Sequence, residues 1–188
     1  ALYWAAWGEG SRLIVLHGGP GADQRYLQPQ LLHLAERRQT TFYDQRGGGR
    51  SPAPGDITWR TQVEDLAAVV AELDVDPPSI VGFSWGALLA LLAAGMGAVH
   101  PKRLVLIDPA PITRQYRSEF EASMAKRQQA VAAERTALQQ SGLAAQDPDA
   151  YRQRAFELSV AGYFANPARA HDLTPFRVMG RVQQSVWE

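Results

Sequence analysis

A serine flanked by glycines stands between an apolar run and a long Ala- and Leu-rich stretch. Residues 82–86 read Gly-Phe-Ser-Trp-Gly, with Ser84 at the centre. In a tight turn from a strand into a helix, glycines two residues before and after a serine leave room for its hydroxyl to project as a nucleophile. The dipole of the following helix and the amide of Trp85 would stabilise negative charge there. The pattern predicts a nucleophile, and a serine at an ordinary glycine-rich turn is the alternative.

A second glycine-rich loop offers a partner for the Trp85 amide. Residues 17–21 read His-Gly-Gly-Pro-Gly and follow an apolar run. The loop between the first core strand and the first helix is where an oxyanion hole takes its second backbone donor, so we predict Gly18 or Gly19 in that role. We predict that His17 fixes the loop by hydrogen bonding rather than moving a proton, because this position lies beside the oxyanion site. An ordinary turn is the alternative.

A third loop, Asp-Gln-Arg-Gly-Gly-Gly, begins with two opposite charges at Asp44 and Arg46. We predict that these side chains form an ion pair that holds the glycine loop at the rim of a pocket. Solvated turn charges are the alternative interpretation.

Regular alternation of strand and helix patterns would position these loops. Apolar or β-branched runs occupy residues 13–16, 40–43, 79–83 and 103–107, and residues 1–7 read as a more amphipathic edge strand. Helical spacing covers residues 26–38, 59–73 and 85–99. This order predicts an α/β fold, a doubly wound and mostly parallel sheet flanked by helices. Ligands bind outside the carboxyl ends of such strands, where all three loops and Asp108 fall.

The sequence changes character after residue 112. Charged, Gln- and Ala-rich helical stretches cover residues 113–140 and 149–164, and residues 175–188 also have a helical pattern. With no strand pattern among them, we predict a core domain over residues 1–112 and a helical cap subdomain over residues 113–188.

Composition excludes several classes of function. The 188 residues include 19 basic and 19 acidic side chains and no cysteine. A balanced charge gives no electrostatic footprint for nucleic acid or an anionic membrane, so we expect a small peptide or small-molecule substrate. The lack of cysteine excludes disulfides, thiolate catalysis and cysteine-ligated metals, and it favours a cytoplasmic location. The longest apolar run, residues 87–99, is too short to span a membrane, and we expect neither a metal nor a cofactor.

In their order and spacing, HGGPG, DQRGGGRS and GFSWG together resemble the prolyl aminopeptidase (proline iminopeptidase) family of α/β-hydrolases. The resemblance covers residues 2–111. It implies the α/β-hydrolase fold, an acylated Ser84, an oxyanion hole formed by amides of Trp85 and of Gly18 or Gly19, and a helical cap. Such enzymes remove an N-terminal proline, and acidic cap residues receive the α-amine of the substrate. The final Ser-Val-Trp-Glu also resembles the family's cap, which makes Glu188 a candidate for amine recognition; a surface charge is the alternative.

A serine nucleophile needs a base and an orienting carboxylate, which follow it in this fold in the order acid, then histidine. His100 precedes a strand and so lies at the wrong end of the sheet, whereas His171 falls in the predicted cap, where a surface or capping role is favoured. Asp108 is an alternative acid, since some α/β-hydrolases carry theirs at this strand end, although a loop or cap-hinge role is favoured. The family's last two strands, with acid and base, have no counterpart here. We therefore expect an incomplete hydrolase whose residues 1–188 alone do not turn over.

Two other functions stay open. Another α/β-hydrolase activity, on esters, lactones or amides, fits the same residues because fold and nucleophile do not set the substrate. A non-catalytic binding protein that keeps the pocket without the triad is the third possibility. In each case the unpaired sheet edge beside the fourth core strand favours association with the missing C-terminal segment or with another copy of the chain.

Overall fold

The computed structural model describes residues 1–53 and 55–187, and five strands in this part of the chain form one sheet. The strands are β1 (Trp4–Trp7), β2 (Arg12–Leu16), β3 (Gln39–Tyr43), β4 (Ser79–Phe83) and β5 (Arg103–Ile107). Their order across the sheet is β1-β3-β2-β4-β5. β1 runs antiparallel to β3, and the other neighbouring pairs are parallel. The predicted α/β fold with a mostly parallel sheet is confirmed.

The central strands are apolar because both faces of the sheet are covered. In β2 every residue after Arg12 is buried, and in β4 the three middle residues are buried. Parallel strands covered on both faces have continuous apolar sequences rather than alternating ones. For this reason the sequence pattern marks these strands within one residue of their observed ends.

Three helices lie between the strands: α1 (Gln28–Leu31), α2 (Trp59–Glu72) and α3 (Trp85–Gly95). α2 begins at a capping box, in which the amide of Thr61 donates to the Thr58 hydroxyl and the amide of Thr58 donates to the Thr61 hydroxyl. α3 buries all of its first six residues and is apolar around its whole circumference. Such a helix is stable only inside a core, here against the sheet and α2.

The predicted helix over residues 26–38 is wrong. The chain instead forms a 3₁₀ turn at Gln24–Tyr26, the four residues of α1 and a second 3₁₀ segment at Leu32–Glu36. Pro29 has no amide to donate to the carbonyl of residue 25, and its ring crowds that carbonyl. A proline is tolerated in the first turn of a helix, so α1 begins anew one residue before it.

The chain divides into two compact units. The first contains residues 1–110 and the segment from Phe176 onwards, and the second contains residues 111–175. The helices of the second unit are α4 (Arg114–Gln129), α5 (Ala132–Gln140), α6 (Leu143–Gln146) and α7 (Pro148–Val160). They enclose a small apolar core centred on Val131, Leu158 and Val160. The predicted continuous helix over residues 113–140 is interrupted between α4 and α5, where Val131 turns into this core.

The last helix, α8 (Gly180–Trp187), belongs to the first unit. Its Val182 and Val186 are buried in the main hydrophobic core. The predicted cap included this segment, whereas in the structure the segment from Phe176 packs with the core residues. No helix within residues 1–53 and 55–187 is long and apolar enough to cross a membrane.

Candidate active site

The candidate site lies where the order of the strands reverses. The chain passes from β2 to β3 on one side, then crosses back so that β4 pairs with β2 on the other side. Crevices at such switch points, outside the carboxyl ends of the strands, are where doubly wound sheets bind ligands. Leu16 pairs with Gly82, so the loops after β2 and β4 begin side by side.

Ser84 forms a sharp turn between β4 and α3. Its backbone has φ 53° and ψ −116°, a conformation that side-chain-bearing residues rarely adopt. The turn leaves no space for side chains on either side: a Cβ on Gly82 would lie 2.6 Å from the Gly86 carbonyl oxygen, and one on Gly86 would lie 2.4 Å from that of Leu16. The glycine spacing of the sequence therefore has a steric cause.

Backbone hydrogen bonds hold this strained turn in place. The Ser84 amide donates to the Ile107 carbonyl at 2.9 Å, and the Ser84 carbonyl accepts from Ala110 at 3.0 Å. Strained residues persist only where their surroundings over-determine them. The end of β5 thus supports the turn from one side, and α3 supports it from the other.

Two backbone amides in the loops after β2 and β4 have no acceptor in the described part of the chain. The Trp85 amide begins α3, where first-turn amides have no partner within the helix. The Gly19 amide is also without an acceptor among the described residues, although the Gly19 carbonyl accepts from Ala22. The Gly18 amide, by contrast, donates to the Tyr26 hydroxyl at 2.8 Å. Of the two glycines predicted as oxyanion donors, one is therefore already engaged.

His17 is buried and uses both ring nitrogens. Its Nδ1 lies 2.9 Å from the Gly18 carbonyl oxygen, and its Nε2 accepts a hydrogen bond from the backbone amide of Gln45 at 3.1 Å. This pattern requires the neutral ring with its proton on Nδ1. Burial lowers the pKa of His17, because the charged ring would lose its hydration, and this effect outweighs the opposing influence of the Gly18 carbonyl and Asp44. The geometry agrees with a loop-fixing role.

Asp44 and Arg46 both hold the glycine loop, but the predicted ion pair between them is wrong. The Asp44 carboxylate accepts from the backbone amides of Gln24 and Arg50, each at 2.9 Å. Arg46 instead donates two hydrogen bonds to Asp65 on α2, at 2.6 and 2.7 Å. The Asp44 carboxylate is thus occupied by two backbone amides, and the counter-charge of Arg46 is Asp65, 19 residues further along the chain.

Gln45 connects three loops and was not singled out from the sequence. Its side-chain amide donates to the His17 carbonyl at 2.7 Å and accepts from the Trp85 indole at 2.8 Å. The residue is fully buried. The sequence offers one signal for this role. Gln45 directly follows a strand, and it lies between the charged residues Asp44 and Arg46.

The four histidines all lie within the described residues, and none is seen to serve Ser84. His17 is engaged as described, and the exposed His33 lies 3.4 Å from Glu36. His100 precedes β5, which runs parallel to β4, so it lies at the opposite end of the sheet from Ser84. His171, in the second unit, is exposed and contacts Asp172.

Of the two carboxylates predicted to serve the site, the structure describes only Asp108. Asp108 is exposed at the carboxyl end of β5, with φ 43°, and has no histidine partner among the described residues. Glu188 lies outside the described residues. Within residues 1–53 and 55–187, no group of three or more histidine or carboxylate side chains is arranged to hold a metal ion.

Residues 11–183 match the model of a protein family described as the alpha/beta hydrolase fold. The chain belongs to this family. Among curated proteins it is similar to proline iminopeptidases of Heyndrickxia coagulans (45% identity over 86 residues, 44% of this chain and 30% of that protein) and Lactobacillus helveticus (36% over 96 residues, 48% and 32%). The resemblance to the prolyl aminopeptidase family is thereby confirmed. The matched region spans about a third of the length of these relatives.

Solved structures share the fold. An α/β hydrolase fold protein from Burkholderia ambifaria has a TM-score of 0.56 and 22% identity, covering 98% of this chain and 71% of its own. An α/β hydrolase from Sphaerobacter thermophilus has a TM-score of 0.53 and 26% identity, covering 69% and 53%. The enol-lactonase of Burkholderia xenovorans has a TM-score of 0.50 and 27% identity, covering 55% and 41%.

Proposed function

We propose that this chain carries the nucleophile of a serine hydrolase that releases N-terminal proline from peptides through an acyl-enzyme. The observation that supports the proposal is the strained turn at Ser84, next to a Trp85 amide without an acceptor among the described residues. Strain of this kind is retained where a side chain must project for chemistry. The proposed substrate class, peptides with an N-terminal proline, rests on the similarity to proline iminopeptidases.

In the proposed reaction, the Ser84 oxygen bonds to the substrate carbonyl carbon while its proton passes to a base. The resulting oxyanion accepts hydrogen bonds from the amides of Trp85 and Gly19. The bond to the leaving amine then breaks as the base returns the proton, which gives the acyl-enzyme. Water, activated by the same base, hydrolyses the ester, releases proline and restores the serine.

The base and its carboxylate remain to be assigned within this scheme. His17 is fixed by two hydrogen bonds and His100 lies at the far end of the sheet. We propose that both groups come from a part of the protein outside residues 1–188, so that these residues alone do not turn over. We further propose that Glu188 receives the substrate amine, that residues 113–175 act as the cap, and that the cysteine-free protein works in the cytoplasm.

A second candidate is hydrolysis of esters or lactones. It is favoured by the likeness to the enol-lactonase, which has the same fold at 27% identity. The two candidates share Ser84 and its oxyanion donors and differ in the pocket that receives the substrate.

The test uses the full-length gene product and a fluorophosphonate that modifies activated serines. We expect one adduct by intact mass, lost in Ser84→Ala and kept in Ser118→Ala, an exposed serine on α4. We also expect faster cleavage of a prolyl arylamide than of short acyl esters. A strong preference for esters would favour the second candidate, and absence of an adduct would favour a non-catalytic binding protein.

A further inference from the structure

Tyr26 lies in the hydrophobic core and contacts the loop of residues 17–21, which we call the oxyanion loop. It ends the 3₁₀ turn after the HGGPG loop and is only 3% exposed. Its hydroxyl accepts the hydrogen bond of the Gly18 amide at 2.8 Å. Because a buried amide is costly to leave unpaired, this bond fixes how the Gly18 peptide is oriented.

The hydroxyl also lies close to the nucleophile. A Cβ placed on Gly18 would be 2.8 Å from the Tyr26 hydroxyl oxygen and 2.9 Å from the Cβ of Ser84. Both groups therefore border the same small space next to the Gly18 Cα. This space is too small for a side chain at position 18. A movement of the tyrosine or of the loop would change the distance between the loop amides and the serine.

Aromatic contacts hold the tyrosine ring itself. Phe176 stacks on it with ring centres 4.3 Å apart, and Phe83, next to Ser84, meets it edge-on at 6.3 Å. Phe176 begins the segment whose Met179 amide donates to the Gly21 carbonyl at 3.0 Å. The ring therefore packs between Phe83, at the end of β4, and Phe176, at the start of the segment that is hydrogen-bonded to Gly21.

The consecutive amides of Gly18 and Gly19 differ in their hydrogen bonding. The Tyr26 hydroxyl engages the Gly18 amide, while Gly19, with φ 53°, has an amide without an acceptor among the described residues. We infer that Tyr26 is a positioning residue, which holds the Gly18 amide away from the oxyanion and so sets the Gly19 amide as its donor. The inference rests on the proposed function, because it assigns a role within the oxyanion hole of Ser84.

The test compares Tyr26→Phe with Tyr43→Phe in the full-length gene product. Tyr43 is a matched control: it is buried in the same unit, and its hydroxyl has no hydrogen-bond partner among the described residues. An oxyanion donor is worth about 10²- to 10³-fold in kcat, so its misplacement in Tyr26→Phe should cost at least about tenfold. We expect this loss in kcat and in the rate of fluorophosphonate labelling, with KM unchanged. Tyr43→Phe should match the wild type in all three.

A second variant keeps the inference testable if Tyr26→Phe fails to fold. Phe176→Leu retains the hydrogen bond but removes the stacked ring, and we expect a smaller loss in kcat with KM again unchanged. Equal kcat in Tyr26→Phe and wild type, or a loss confined to KM, would overturn the inference. A wild-type protein that is not labelled at Ser84 would instead overturn the proposed function, so the two failures are distinguishable.

Discussion

At the scale of single residues, the site consists of backbone groups held by buried polar side chains. Asp44, Gln45 and Tyr26 each bind amides or carbonyls of neighbouring loops. Ser84 is the proposed nucleophile, and its strained backbone costs of order 1–3 kcal/mol. That cost is offset by the hydrogen bonds and packing of the residues around it.

The spacing of serine and glycines could be read from the sequence because the constraint is local. Gly82 and Gly86 lack side chains for reasons that involve atoms within the turn and the adjacent strand. The partners of Gly18 and Arg46 could not be read in this way. The partner of Gly18 is Tyr26, and the partner of Arg46 is Asp65 on α2. Both contacts depend on how the chain folds in three dimensions, which no short sequence pattern specifies.

The buried His17 should make stability depend on pH. Folding lowers the pKa of this histidine, so below about pH 6.5, its ordinary value, the unfolded chain binds a proton that the folded chain does not. Acidification therefore favours the unfolded chain, by up to about 1.4 kcal/mol per pH unit until the folded-state pKa is reached. Urea denaturation of residues 1–188 at several pH values measures this slope.

The control for this prediction is a pair of variants. His17→Gln should be less stable near neutral pH but should lose less stability on acidification, because glutamine does not titrate. His33→Gln, at an exposed position in the same unit, should keep the wild-type slope. Equal slopes in all three proteins would contradict the assignment of the pH dependence to His17.

At the scale of elements, strands were predicted better than helices. β4 and β5 have the predicted bounds, because each is a continuous apolar or β-branched run with abrupt ends. The helix predicted over residues 26–38 was wrong, since helical spacing of apolar residues does not reveal the break that Pro29 imposes. The interruption at Val131 was missed for a related reason: burial in a local core can outweigh helix propensity.

The Arg46–Asp65 pair should be an important link between the glycine loop and α2. Both side chains are largely buried, with 17% and 11% exposure, and the pair has two hydrogen bonds. Asp65→Asn leaves a buried guanidinium without its counter-charge, and we expect a loss of about 2 kcal/mol in unfolding free energy, between the values for exposed and fully buried pairs. Chemical denaturation measures it.

An exposed pair in the same unit provides the comparison. His33 and Glu36 are 78% and 73% exposed, so Glu36→Gln should change the unfolding free energy by less than about 0.5 kcal/mol. If both variants lost the same amount, the link between the loop and α2 would be no stronger than a surface contact.

At the scale of the whole molecule, one edge of the sheet differs from the rest. β5 pairs with β4 on one side, and no other strand of residues 1–53 and 55–187 pairs with it. Val105 and Leu106, which point to opposite faces, are 51% and 36% exposed. An apolar, unpaired edge strand is a template for pairing with another chain.

We expect residues 1–188 to self-associate through β5, and Val105→Lys to reduce this association, because a lysine on an edge strand opposes pairing. Sedimentation velocity over a wide range of concentrations measures the oligomeric state. Ile112→Lys replaces a similarly exposed apolar residue outside the sheet and should leave association unchanged. A wild-type chain that stays monomeric at every concentration would refute the prediction.

The chain leaves the first unit after Ala110 and rejoins it at Phe176, so the second unit is one continuous insertion. Near the exit the Ala110 amide is bonded to Ser84, and near the return the Met179 amide is bonded to Gly21. Such an arrangement is modular: recombination at two junctions would exchange the whole insertion, while both hydrogen bonds would stay with the loops of the first unit. Under the proposed function, such an exchange would replace residues 111–175 and leave Ser84 and its oxyanion donors unchanged.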